Sequence, residues 1–176
     1  MPVEVKGVIE LRKALRQFSP DLGKGLTAEM GAALKPIVRK SRSFLPTNDQ
    51  TLSNWVGTAG RGQGRFPQYD ASIARKGITY KTSPSKANRR GFRSLATIFN
   101  KTAAGAIYET AGRKTPNSVF VQNLQAKYAG HMKGQDKMRG RAIYRAWEED
   151  NGKATTAVMR AIEKATRAFQ ARSTVK

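Results

Sequence analysis

The sequence predicts an α+β protein in which a small antiparallel sheet packs against N-terminal helices and a long C-terminal helix. Three observations carry that prediction. Apolar residues recur at spacings of three and four at both ends of the chain. Two short central segments are rich in aromatic and β-branched residues. The 176 residues show no internal repeat and suit one domain spanning 1–176.

The first element follows from Val8, Leu11, Leu15 and Phe18, which form one stripe, with Arg12, Lys13 and Arg16 off it. The "SPDLG" run resets the chain: Ser19 is a candidate cap and Pro20 suits a first helical position. Leu26, Met30, Ala33, Ile37 and Phe44 continue a second face. Pro36 is expected to kink or split it, and Pro46 to end it. Helices are therefore expected over about 3–45. Residues 46–75 hold Gly, Pro, Asn and Asp in quantity and read as a long basic loop, anchored by Trp55 and Val56.

Strands are expected within about 76–112. "KGITYKTSP" places Ile78 and Tyr80 on one face, and "GFRSLATIFN" is aromatic and β-branched. The intervening "SPSKANRRG" reads as a basic hairpin loop. "TAAGAIYETAG" reads either as a short helix or as a strand followed by a turn. Residues 113–139 are expected to be a mobile polar loop with one apolar cluster, Val119, Phe120 and Val121. Last, Ile143, Trp147, Ala154, Val158, Ala161, Ala165 and Phe169 follow at spacings of 4, 7, 4, 3, 4 and 4. The stripe runs through Asn151 and Gly152 without losing phase, which predicts one helix from about 140 to 171, weakened near Gly152 by about 1 kcal/mol.

Composition bounds the function. Leu, Ile, Val and Phe number 33, about 19 % of the chain, close to the level at which high net charge suggests disorder. A chain so poor in large apolar residues is expected to complete its packing against neighbours. It has no cysteine, which excludes disulfides, thiolate zinc sites and cysteine nucleophiles and fits a cytoplasmic assembly environment. No apolar run nears the ~18 residues of a membrane span, and "MPVEVKGVIELRK" lacks the pattern of a signal peptide. The net charge is +21 and uneven: residues 50–147 carry 18 basic and 3 acidic groups. Such a field attracts nucleic acid or an acidic protein surface.

The motifs exclude more than they assign. "GTAGRGQGRFPQYD" has Gly60, Gly62 and Gly64 at alternate positions, followed by Arg65 and Pro67. The dinucleotide loop needs Gly-x-Gly-x-x-Gly between a strand and a helix, and the other phosphate loop a Gly-Lys-Ser/Thr end. Neither is met. Arginine–glycine arms repeat their unit many times, whereas this one occurs once, so a flexible basic loop is the preferred reading. Arg61 and Arg65 remain candidates for reaching phosphates. Lys86, Arg89, Arg90 and Arg93 on the hairpin loop are candidates for contact with a polyanion or an acidic partner, without base readout. His131 is the sole histidine, so no metal set or base pair forms around it. Consecutive Glu148, Glu149 and Asp150 point around a helix and cannot converge on one ligand. No catalytic residue, metal ligand or cofactor is expected.

The order of segments resembles the small tail-component proteins of long-tailed bacteriophages, the family that includes tail-completion and tail-terminator proteins at the head–tail junction. "VKGVIELRKALRQF" is similar to the family's opening helix with its Gly-x-x-Glu-Leu start. "DLGKGLTAEMGAALKPIVRKSRSFLP" is similar to its second helix, and "RAIYRAWEEDNGKATTAVMRAIEKATRAF" to its long last one. "NKTAAGAIYETAGR" is similar to the segment in which a tyrosine and a glutamate precede a small residue and glycine, here Tyr108, Glu109, Ala111 and Gly112. "PTNDQTLSNWVG" departs from the Thr-Gly-x-Leu turn of many members, and a long basic insertion follows it. The resemblance implies a non-enzymatic virion protein that assembles in the host cytoplasm. It implies a homo-oligomeric ring, commonly six-fold, between the head connector and the tail tube, with DNA passing through and no membrane. Trp147, Val158 and Phe169 are then the candidates for subunit packing. The alternative reading is a stand-alone basic protein that binds nucleic acid without sequence preference.

Overall fold

The computed structural model describes residues 7–51, 55, 67–112, 118–127 and 140–174. Its elements run α1 (Val8–Phe18), α2 (Pro20–Ser43), α3 (Ala71–Gly77), β1 (Ile78–Lys81), β2 (Thr97–Asn100), α4 (Ala103–Thr110), α5 (Val119–Lys127), α6 (Ile143–Glu149) and α7 (Lys153–Thr174). β1 and β2 form a two-stranded antiparallel sheet, so the class is α+β with a long C-terminal helix. Among the described residues no helix is long and apolar enough to cross a membrane. Two compact units emerge, one drawn from Met1–Pro36, Tyr80–Thr97 and Gly152–Lys176, the other from Ile37–Thr79 and Ile98–Asn151.

The first unit is a three-helix packing. Val8 and Leu15 of α1, Leu26 and Met30 of α2, and Ala161, Ile162 and Ala165 of α7 form one buried cluster. Leu11, Leu22, Leu95, Ala96, Val158, Met159 and Phe169 pack around it. The α1 stripe behaves as its spacing predicts up to Leu15; Phe18, at its end, is exposed. Alanines on α7 let a helix backbone approach closely, which leaves the few large side chains for the centre. Arg12, expected off the stripe, is instead buried. Its guanidinium donates to the Thr82 carbonyl and lies 3.6 Å from Met30 Sδ. Burial, with Arg16 nearby, pulls its pKa below the ordinary arginine value, and the carbonyl supplies the partner a buried cation requires. Exposed pairs Lys164–Glu29 and Arg172–Asp21 link α7 to α2, where solvent screening leaves such pairs little weight.

The second unit is organised by aromatic and polar contacts. The Trp55 ring meets Tyr69 at 5.0 Å and Phe120 at 5.2 Å. Tyr69 donates from its hydroxyl to the Pro46 carbonyl and from its backbone to the Trp55 carbonyl. Burial raises that phenol's pKa well above its ordinary value. Asp70 caps α3 by accepting from the Ile73 N–H. Asn100 Nδ2 donates to the Ala74 carbonyl while its Oδ1 accepts from Thr102, joining α3 to the start of α4.

Several boundaries differ from the sequence expectation. α3 lies at the end of the expected 46–75 loop and α5 within the expected 113–139 loop. The Tyr108–Glu109 segment is helical, the first of its two readings. Pro36 sits inside α2 without splitting it, and its missing N–H removes one donor from the ladder. The single helix expected over 140–171 is two helices. Asn151 (φ 49°) and Gly152 (φ 79°) are both left-handed and stop α6 before α7 begins. The phase does reset: Ala142, just before α6, and Ala146 within it are buried, each one residue before the expected Ile143 and Trp147.

Gly152→Ala separates the two geometries. In one continuous helix it would add about 1 kcal/mol of stability. At φ 79° it should instead remove about 1 kcal/mol, read from urea unfolding midpoints.

Candidate polyanion interface

The chain between β1 and β2 forms an arm whose tip is residues 85–94, all exposed. Its turn chemistry is legible residue by residue. The Gly91 N–H donates to the Asn88 carbonyl and the Asn88 N–H to the Phe92 carbonyl. Gly91 has φ 79°, and Arg89 and Arg90 have no positive φ. This is a type I turn followed by a left-handed glycine, a standard hairpin closure. Asn88 completes it: its Oδ1 accepts from the Arg90 and Phe92 N–H groups, at 2.9 and 3.0 Å. Further down, the Ser85 N–H donates to the Ser94 carbonyl and the Ser94 N–H to Ser85 Oγ. Arg89 and Arg90 thus occupy the two corner positions of the turn, flanked by Lys86 and Arg93.

The root of the arm is tied down within the first unit. Arg12 holds the Thr82 carbonyl on one limb, and Leu95 and Ala96 pack on the buried cluster on the other. No acidic residue lies between Asp70 and Glu109. Among the described residues, none of the four tip cations makes an ion pair. Phe92 is 49 % exposed and is the tip's one large apolar side chain.

Of the other candidates, Arg61 and Arg65 lie outside the described residues, as do Val56 and His131. Trp55 is buried, as an anchor should be. Val158 and Phe169 are half-buried against the chain's own cluster, whereas Trp147 is 43 % exposed. The structure therefore gathers Lys86, Arg89, Arg90 and Arg93 on one turn and leaves Trp147, Val158 and Phe169 apart from it in role.

A second constellation is buried. Both Glu109 carboxylate oxygens face the start of α6, which has no side-chain cap of its own. They accept from the N–H groups of Ala142 (2.7 Å), Ile143 (3.1 Å) and Tyr144 (3.0 Å). Three donors at the helix start are thus met by one anion, on the side where the helix dipole favours it. Next to it, buried Arg141 donates to the carbonyls of Tyr108 and Ala111. Burial lowers the Arg141 pKa, opposed by Tyr108 and Glu109. The Tyr108–Glu109–x–Ala111–Gly112 segment is a structural clamp for α6. At the other end of α6, Arg145 stacks on Phe44 at 3.9 Å and pairs with Glu149, which also holds Lys40 at 2.7 Å. Those two hydrogen bonds hold the Glu149 carboxyl below its ordinary range.

Sequence reasoning missed the parts played by Arg12, Asn88 and Arg141. Asn88 had a usable signal, the Asn-x-x-Gly spacing of 88–91. Arg12 and Arg141 had none, because a buried arginine reads like any exposed one. Comparison with family models, curated proteins and solved structures gives no match to this chain.

Glu109→Ala strips three backbone donors, one of them buried, of their acceptor and should cost about 2–4 kcal/mol in urea unfolding. Glu109→Gln keeps one acceptor oxygen and should cost less. Equal destabilisation by the two variants would show that carboxylate charge, rather than acceptor geometry, holds α6.

Proposed function

We propose that this protein is a structural virion component of the head–tail junction of a long-tailed bacteriophage, without catalysis of its own. It forms or completes a ring between head connector and tail tube, around the DNA channel. The observation that carries the reading is the arm tip, where Lys86, Arg89, Arg90 and Arg93 stand exposed with no ion pair among the described residues. A protein that lets DNA slide past needs contacts that are electrostatic and blind to sequence, and these cations are of that kind. Resemblance in the order of helices and in the Tyr108–Gly112 segment supports the setting. So does the scarcity of large apolar residues, which suits a subunit that completes its burial in an assembly. Phe18, Ile73, Val119 and Trp147 stay exposed in the single chain and are available to neighbours.

The same tip favours one other reading, a stand-alone basic protein that binds nucleic acid without sequence preference. Light scattering on a sizing column, after nuclease treatment, decides between them. Growth with protein concentration into a defined oligomer that survives high salt is the result expected of the ring. A salt-stable monomer that binds any duplex would favour the stand-alone protein. Arg89→Glu with Arg90→Glu should leave the subunit folded, since both side chains are exposed, and should impair junction assembly or DNA passage. Normal infectious particles from phage complemented with the double variant would overturn that role.

A further inference from the structure

We propose that the arm tip is a preformed contact for the sugar–phosphate backbone of duplex DNA, made by Lys86, Arg89, Arg90 and Arg93. This rests on the reading that the protein works against DNA, and it names which element does so and how.

Four features suit the tip to phosphate, and the third favours phosphate over an acidic protein surface. First, the tip is built before any partner arrives. The Asn88 carboxamide, the Gly91 turn and the Ser85–Ser94 bonds fix its backbone, so binding orders only the long side chains. Second, the type I turn puts two guanidinium groups at its corners, and guanidinium forks match phosphate oxygens in pairs. Third, the tip offers no apolar cluster. Protein interfaces bury an apolar and aromatic centre from which charge is largely excluded, whereas here Phe92 stands alone among cations. A partner that presents regularly spaced charge and no pocket fits such a surface better. Fourth, the side chain best suited to reading an adenine edge, Asn88, has its Oδ1 already engaged by two backbone N–H groups. The tip is therefore equipped to hold phosphate, and its one amide side chain is not free to read an adenine edge.

The root explains why the charge is held in place. Arg12 on the Thr82 carbonyl and Leu95 with Ala96 on the buried cluster fix both limbs. The arm consequently projects its cations from the packed body of the first unit.

The experiment is fluorescence anisotropy of the full chain with a labelled duplex of arbitrary sequence, over 50 to 200 mM KCl. Removing one phosphate-binding cation should flatten the slope of log K against log salt by about 0.9. Arg89→Ala with Arg90→Ala should flatten it by about 1.8, so across that range the variant loses about tenfold less affinity than the parent. Arg160→Ala with Arg167→Ala, which removes two charges from α7, should leave the slope unchanged. Asn88→Ala keeps every charge and should weaken binding several-fold at an unchanged slope. Circular dichroism confirms that each variant is folded. Equal flattening by both arginine pairs would overturn the proposal, because the overall field and not the arm would then bind. Binding of poly-glutamate and not of duplex would also overturn it, in favour of an acidic protein partner. A defined oligomer with no arm-dependent slope would sink the arm and leave the junction reading standing. An arm-dependent slope on a salt-stable monomer would do the reverse.

Discussion

Only 33 of the 176 residues are Leu, Ile, Val or Phe, and two separate units have to be closed with them. At about 25 cal/mol per Å² of apolar surface removed from water, so small a set puts a premium on burying its large side chains well. The first unit meets this by packing. Leu15 and Met30 lie fully inside beside Ala161 and Ala165 of α7, and larger side chains such as Leu22 and Phe169 pack around them. Small residues draw the helices together, so that a few large ones suffice.

The second unit buries Ile37, Val38, Leu45, Ile78, Val121 and Leu124 and adds directed contacts to them. Trp55, Tyr69 and Phe120 add aromatic area. Tyr69, Asn100, Glu109 and Arg141 place hydrogen bonds where chain segments meet. A buried polar network of this kind tolerates little error, since each unmet donor or acceptor costs about 1–3 kcal/mol. Glu109 bears most on it. One carboxylate holds the start of a seven-residue helix, which would be marginal alone.

The basic residues divide along the same lines. Arg12 and Arg141 are used inside the fold, where each donates to backbone carbonyls. Lys40, Arg145, Lys164 and Arg172 are matched to carboxylates at or near the surface. Lys86, Arg89, Arg90 and Arg93 belong to neither group. They sit on a turn whose backbone is closed by hydrogen bonds and whose root is fixed, which is where charge can meet a partner without disturbing the core.

The α+β class, the helices α1 and α2 and the apolar face of α7 were legible because periodicity in the sequence records which side of an element is apolar. The basic arm was legible too, as a run of cations between two strand-like segments. Periodicity does not record which core an apolar side faces. For that reason the stripe from Ile143 to Phe169 read as one helix, although Ala146 and Ala161 belong to different units. A left-handed Asn151 costs about 1 kcal/mol and a left-handed Gly152 almost nothing, so the local sequence left both outcomes open. Burial of Arg12, Glu109 and Arg141 was likewise invisible, since their partners are backbone groups, which every residue carries alike. By itself the sequence determined α1, α2, the apolar face of α7, the two strand segments and where the basic arm lies; only the tertiary structure decided α3, α5, the break between α6 and α7 and which polar groups are buried, because burial depends on carbonyls and N–H groups brought together across up to 70 residues of chain.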